Sequence, residues 1–93
     1  KLNEPACDLA AAAAIWSSVE ETPIPGDWVF MGELALTGEV RRAPQIEIRL
    51  QEAVKLGFKH LVIPEATLAK SLKGIDAHIH KISRVSQLSK ILA

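Results

Sequence analysis

From Leu9 to Trp16 every residue is apolar, reading LAAAAAIW, and no other stretch of the chain restricts its fold so tightly. A helix bordering water carries one apolar stripe and an opposite polar face, whereas this run has no polar face for two turns. Just upstream, Asn3 can cap a helix, Pro5 is tolerated in its first turn, and Glu4 and Asp8 suit the positive end of its dipole. The sequence therefore predicts a helix that starts near Pro5 and is covered on most sides. The remaining elements are short, so part of that cover is expected from further chain or from neighbouring subunits.

The next informative stretch reads as strand, turn and helix. Trp28 to Leu36 is rich in apolar residues, Thr37-Gly38 supplies a turn, and Pro44 opens a helix that Gly57 can close. Ile46, Leu50, Ala53 and Val54 recur at helical spacing, which predicts one buried face. Phe58 to Ile63 follows as a buried strand ended by Pro64. A short helix is expected around Thr67 to Leu72, then Gly74 and an alternating segment in which Ile75, Ala77 and Ile79 share a face. Ser83 is placed to cap a last helix with Val85, Leu88, Ile91 and Leu92 inward. Helices between strands favour crossovers and some parallel pairing, so the expected class is mixed α/β. About four helices and three to four short strands are expected in a single domain spanning residues 1–93. Pro23, Pro25 and Gly26 make a rigid turn rather than a linker.

At 93 residues and 48% hydrophobic, the chain is one domain or part of one. Its single cysteine excludes an internal disulfide and suits a reducing cytoplasm. No apolar run approaches the roughly 20 residues of a membrane span, and no membrane partner is expected. No signal sequence is visible at Lys1.

Net charge is zero but unevenly placed: residues 1–54 hold four basic and nine acidic residues (−5), residues 55–93 seven basic and two acidic (+5). Lys55, Lys59, Lys70, Lys73, Lys81, Arg84 and Lys90, with the Arg41-Arg42 pair before the second helix, are candidates to neutralise phosphates. The plainer alternative is a solvated face, or acidic and basic halves meeting between subunits. His78 and His80 share one face of the alternating segment, a spacing that can hold a metal. No third ligand stands nearby in sequence, so no metal is assigned. Trp16, Trp28, Phe30, Met31 and Phe58 are core candidates. A Walker-type GxxxxGK[ST] and a multi-cysteine zinc pattern are both absent from the sequence.

Four ordered blocks carry a family resemblance: EPACDLAAAAAIWSS, FMGELALTGEVR, RLQEAVKLGFKHLVIPEA and GIDAHIHKISRVSQLSKIL. Together they resemble the C-terminal domain of the bacterial RadA (Sms) DNA repair family, which is itself similar to the peptidase domain of the ATP-dependent Lon proteases. The resemblance implies a Lon-peptidase-like domain of which this chain is the later part only, with the N-terminal portion missing. Lon proteases use a serine at the start of the first helix and a lysine in the helix that here begins at Pro44. Laid on this sequence, the serine falls on Ala6, the lysine on Arg49 and a supporting threonine on Met31. An alanine methyl cannot attack a carbonyl, and arginine stays protonated and cannot serve as the base. Cys7 lies one residue further, about 100° around the helix, and would point away from Arg49 if Ala6 pointed toward it.

The resemblance implies a chain without peptidase activity, in a protein whose ATP, magnesium and zinc sites lie in other parts. It further implies self-association into a ring, a hexamer, and DNA contact through Arg41, Arg42, Lys55, Lys59, Lys70 and Lys73, in the bacterial cytoplasm. The implied task is a scaffold for an ATP-driven motor that processes branched recombination intermediates. Two alternatives stay open from sequence: a Lon-type serine peptidase fragment, and an oligomerisation module without DNA contact.

Overall fold

The computed structural model describes residues 8–92. A helix, α1 (Asp8–Glu20), leads into β1 (Trp28–Phe30), followed by the short strands β2 (Glu33–Leu34) and β3 (Val40–Arg41) and helix α2 (Ile46–Lys55). Next come β4 (His60–Pro64), a 3-10 turn (Ala69–Leu72), β5 (His78–Ile82), a second 3-10 turn (Val85–Gln87) and α3 (Leu88–Leu92). β1, β4 and β5 form a parallel sheet in the order β1-β4-β5, and β2 pairs antiparallel with β3. The class is mixed α/β.

Alternation along the parallel strands sends side chains to two cores. On one side Phe30, Val62 and Ile82 pack with Leu9 and Ala13 of α1 and Leu88 of α3. On the other, Met31, Leu61 and Ile63 pack with Leu50 and Ala53 of α2, joined by Ile46, Val54, Ile75, Ala77 and Ile79. The predicted inward face of α2 is thus the face that packs. Its end is a Schellman motif: Gly57 takes φ 96°, its N–H donates to Val54 O at 3.0 Å, and Phe58 N–H donates to Ala53 O at 3.1 Å. Val85, Leu88, Ile91 and Leu92 face the first core as predicted.

Several expectations change. The predicted strand Trp28 to Leu36 divides between two sheets, because Met31 N–H still bonds Val62 O while the next carbonyl, Gly32 O, accepts from Leu9 N–H at 3.1 Å. Gly32 permits that departure: a β-carbon there would lie 3.1 Å from Val40 Cγ1 and 3.5 Å from Leu9 Cδ2. Pro64 does not precede the end of β4 but completes it, opposite Ile82; the ladder bond to Ile82 O comes instead from Glu65 N–H. The helix opened by Pro44 begins at Ile46, after Gln45 takes the left-handed conformation. The segment from Thr67 forms a 3-10 turn rather than an α-helix. At Ser83 the cap is inverted: the Gln87 side-chain carbonyl accepts from the N–H groups of Ser83 and Arg84.

The start predicted near Pro5 lies outside the described residues. Of the apolar run itself, only Leu9 and Ala13 are buried, while Ile15 is 65% exposed and Val19 further along is 72% exposed. The described chain therefore covers α1 on one side, not on most, because five successive alanines offer little area to hold a second layer.

Candidate functional site

α2 is flanked by two crevices of different character. The first, of about 310 Å³, is apolar and lies between the start of α1 and the flank of α2: Ala10, Val29, Phe30, Met31, Arg49, Glu52, Ala53, Leu56 and Phe58 line it. The fold thus brings Met31 and Arg49, 18 residues apart in sequence, to one place beside α1. Ala6 and Cys7 lie outside the described residues. Arg49 Nε donates to Pro44 O at 3.2 Å, anchoring the guanidinium to the loop before its own helix. Among the described lining residues none carries a hydroxyl, thiol or amine; the ionisable groups are the Arg49 guanidinium, which is no base, and the Glu52 carboxylate.

The second crevice, of about 300 Å³, opens at the N-terminus of α2 and is polar. Arg42, Gln45, Glu47, Thr67, Lys70 and Ser71 are among its lining residues. It unites two of the basic candidates, Arg42 and Lys70, across 28 residues of sequence. Ser71 Oγ donates to Glu47 Oε2 at 3.1 Å. Thr67 is 5% exposed and its hydroxyl has no hydrogen-bond partner, a feature no sequence pattern announces.

The other basic candidates do not join this crevice. Arg41, in β3, faces Glu39 at 3.5 Å with both side chains more than half exposed, a pair of small energetic weight. Lys55 closes α2, and Lys73 follows the first 3-10 turn; both are exposed. Lys59 lines a third crevice with Asp76, Ala77 and His78.

The sheet adds a cluster that was only half visible in sequence. His60 stands opposite both Trp28 and His78 in the parallel register, so the strand spacing stacks the rings. Trp28 stacks on His60 at 4.5 Å and on His80 at 4.6 Å, and His60 stacks on His78 at 4.8 Å. His60 Nδ1 and His80 Nε2 are 3.1 Å apart, one ring nitrogen donating and the other accepting. That bond survives one added proton but not two. Burial, then the charges of His60 and His78, hold the His80 pKa below its ordinary 6.5. Among the described residues no group of three or more His, Cys, Asp or Glu is arranged to hold a metal ion. The i, i+2 histidines, His78 and His80, both join the ring stack. No helix among the described residues is long and apolar enough to cross a membrane.

A mixed α/β unit with these crevices also has relatives. Residues 1–67 match the family described as subunit ChlI of Mg-chelatase, and the chain belongs to that family. Among individual proteins it is similar to DNA repair protein RadA of Bacillus subtilis (strain 168), 54% identical over 68 residues, which is 73% of this chain and 15% of the relative. RadA of Streptococcus pyogenes serotype M1 is 50% identical over 76 residues, 82% of this chain and 16% of the relative. For RadA of Listeria monocytogenes serovar 1/2a (strain EGD-e) the figures are 54% over 65 residues, 70% and 14%. The chain spans about a sixth of the length of these relatives.

Proposed function

We propose that this chain is the later part of a non-proteolytic, Lon-like C-terminal domain of a RadA-type DNA repair ATPase in the bacterial cytoplasm, where it serves as an oligomerisation and DNA-contacting scaffold for the processing of branched recombination intermediates. The observation that carries this is the apolar crevice. Met31 and Arg49, the two described positions at which a Lon peptidase would hold its supporting threonine and its base, line one crevice beside α1. Methionine and arginine at these two positions supply neither the hydroxyl nor the base of that dyad, which supports a retained scaffold without the Lon-type reaction. Identity near 50% to proteins named for DNA repair supports the assignment to such a protein. ATP, magnesium and zinc then belong to other parts of it, and no cofactor is assigned to these residues. The exposed apolar side of α1, with Ile15 and Val19, is the face available for ring assembly.

The test joins three measurements on the same protein: labelling by a reactive-serine probe, sedimentation, and binding to duplex and branched DNA across a salt series. Absence of labelling, a ring-sized species and binding that weakens steeply with salt are expected. Labelling would restore a peptidase fragment. Assembly without DNA affinity would make this an oligomerisation module.

A further inference from the structure

We infer that the polar crevice at the start of α2 is a binding site for a phosphate group, held by Arg42, Lys70 and the first turn of the helix. The inference deepens the DNA-contact proposal and rests on it only for the source of the phosphate.

Three independent features converge there. The first is the helix end. α2 runs for ten residues, its N-cap Gln45 sits at φ 54°, ψ 39°, and no side chain caps it. The first-turn N–H groups and the positive end of the dipole therefore face the crevice that Gln45, Ile46 and Glu47 line. The second is charge: Arg42 brings a planar fork of donors and Lys70 a mobile ammonium, against the single carboxylate of Glu47. That carboxylate already accepts from Ser71 Oγ, which draws it toward the 3-10 turn.

The third feature is Thr67. The residue lines the same crevice and its hydroxyl is buried without a partner, although valine would fill the same space without leaving a polar atom unpaired. A ligand oxygen is the partner such a crevice offers. Guanidinium, ammonium, backbone N–H and hydroxyl donors from separate directions suit a tetrahedral anion with several oxygens better than a planar carboxylate with two. The phosphate can come from a DNA backbone or from a free phosphoryl compound, and the chemistry of capture is the same.

The experiment titrates the intact chain with inorganic phosphate at constant ionic strength, followed by amide NMR, and then with a short DNA duplex with and without phosphate as competitor. Shifts centred on residues 45–47, 67 and 70, roughly tenfold weaker binding in Arg42→Ala and in Lys70→Ala, and several-fold tighter binding in Glu47→Gln are expected. The Glu47→Gln gain cannot arise from unfolding. DNA displaced by phosphate and weakened by the same variants assigns the phosphate to DNA. Phosphate binding without DNA binding upholds the crevice and overturns the DNA contact. DNA binding that ignores phosphate and both variants overturns the crevice and leaves the DNA contact standing. Binding of neither ligand overturns both.

Discussion

The two crevices on α2 share a helix and differ in almost everything else. Along the flank, Met31, Phe30, Ala53, Leu56 and Phe58 make an apolar wall around Arg49. At the N-terminus, Arg42, Lys70, Thr67, Ser71 and Glu47 make a polar one. Among the described residues, the first carries only Arg49 and Glu52 as ionisable groups on that apolar wall. The second offers an array of donors suited to holding an anion. One helix can thus carry surfaces of different chemistry, since it is positioned by its buried face and not by either crevice.

The broadest way to break the comparison is to remove that shared support. Leu50 is fully buried in the core that also holds Met31 and Ala53 of the first crevice and Ile46 of the second, and Leu50→Ala is expected to cost about 2–5 kcal/mol, read by denaturant unfolding. Both crevices should fail together; loss of one alone would mean that they are positioned independently. Next in size, Arg42→Ala combined with Lys70→Ala should weaken DNA binding by tenfold or more at low salt. The salt dependence should flatten by about two phosphate contacts, while the same exchange at Arg49 should change it little.

A smaller effect sharpens the polar side. Thr67→Val should stabilise the fold by about 1 kcal/mol, because a buried hydroxyl without a partner is removed, and should weaken phosphate binding at the same time. Stabilisation with unchanged binding would make Thr67 merely structural. The smallest effect lies away from α2, in the ring stack. The folded-state pKa of His80 is lowered, so the unfolded chain takes up its proton first. The contribution is complete above about pH 6.5 and is lost as pH falls through the lower folded value. Thermal unfolding between pH 5 and 8 should show that decline, and His80→Phe should flatten it. The charges facing His80 come from His60 and His78, and a decline that persists in His80→Phe would assign the effect to them instead.

Much of the fold was legible because its signals are local. The inward face of α2 follows from apolar spacing within one helix, and Gly57 ends that helix because only a left-handed residue completes the turn there. Ile75, Ala77 and Ile79 pack on one core as their alternation predicts, although only Ile79 lies in β5 and the other two precede the strand. Where local signals competed with distant ones, the distant ones prevailed. The strand from Trp28 broke at Gly32 because the backbone of α1 claims that carbonyl, and the apolar run of α1 stayed half uncovered because its alanines offer little area to a second layer.

Side-chain identity and short-range periodicity were enough to say that Arg49 cannot serve as a base, where positive charge concentrates, and which face of α2 is apolar. Only the tertiary structure decided that Arg42 meets Lys70 beside an unpartnered Thr67, that Met31 meets Arg49, and that His60 joins Trp28, His78 and His80. Those meetings depend on strand order and register, which arise from packing two cores against one sheet and leave no periodic mark along the chain.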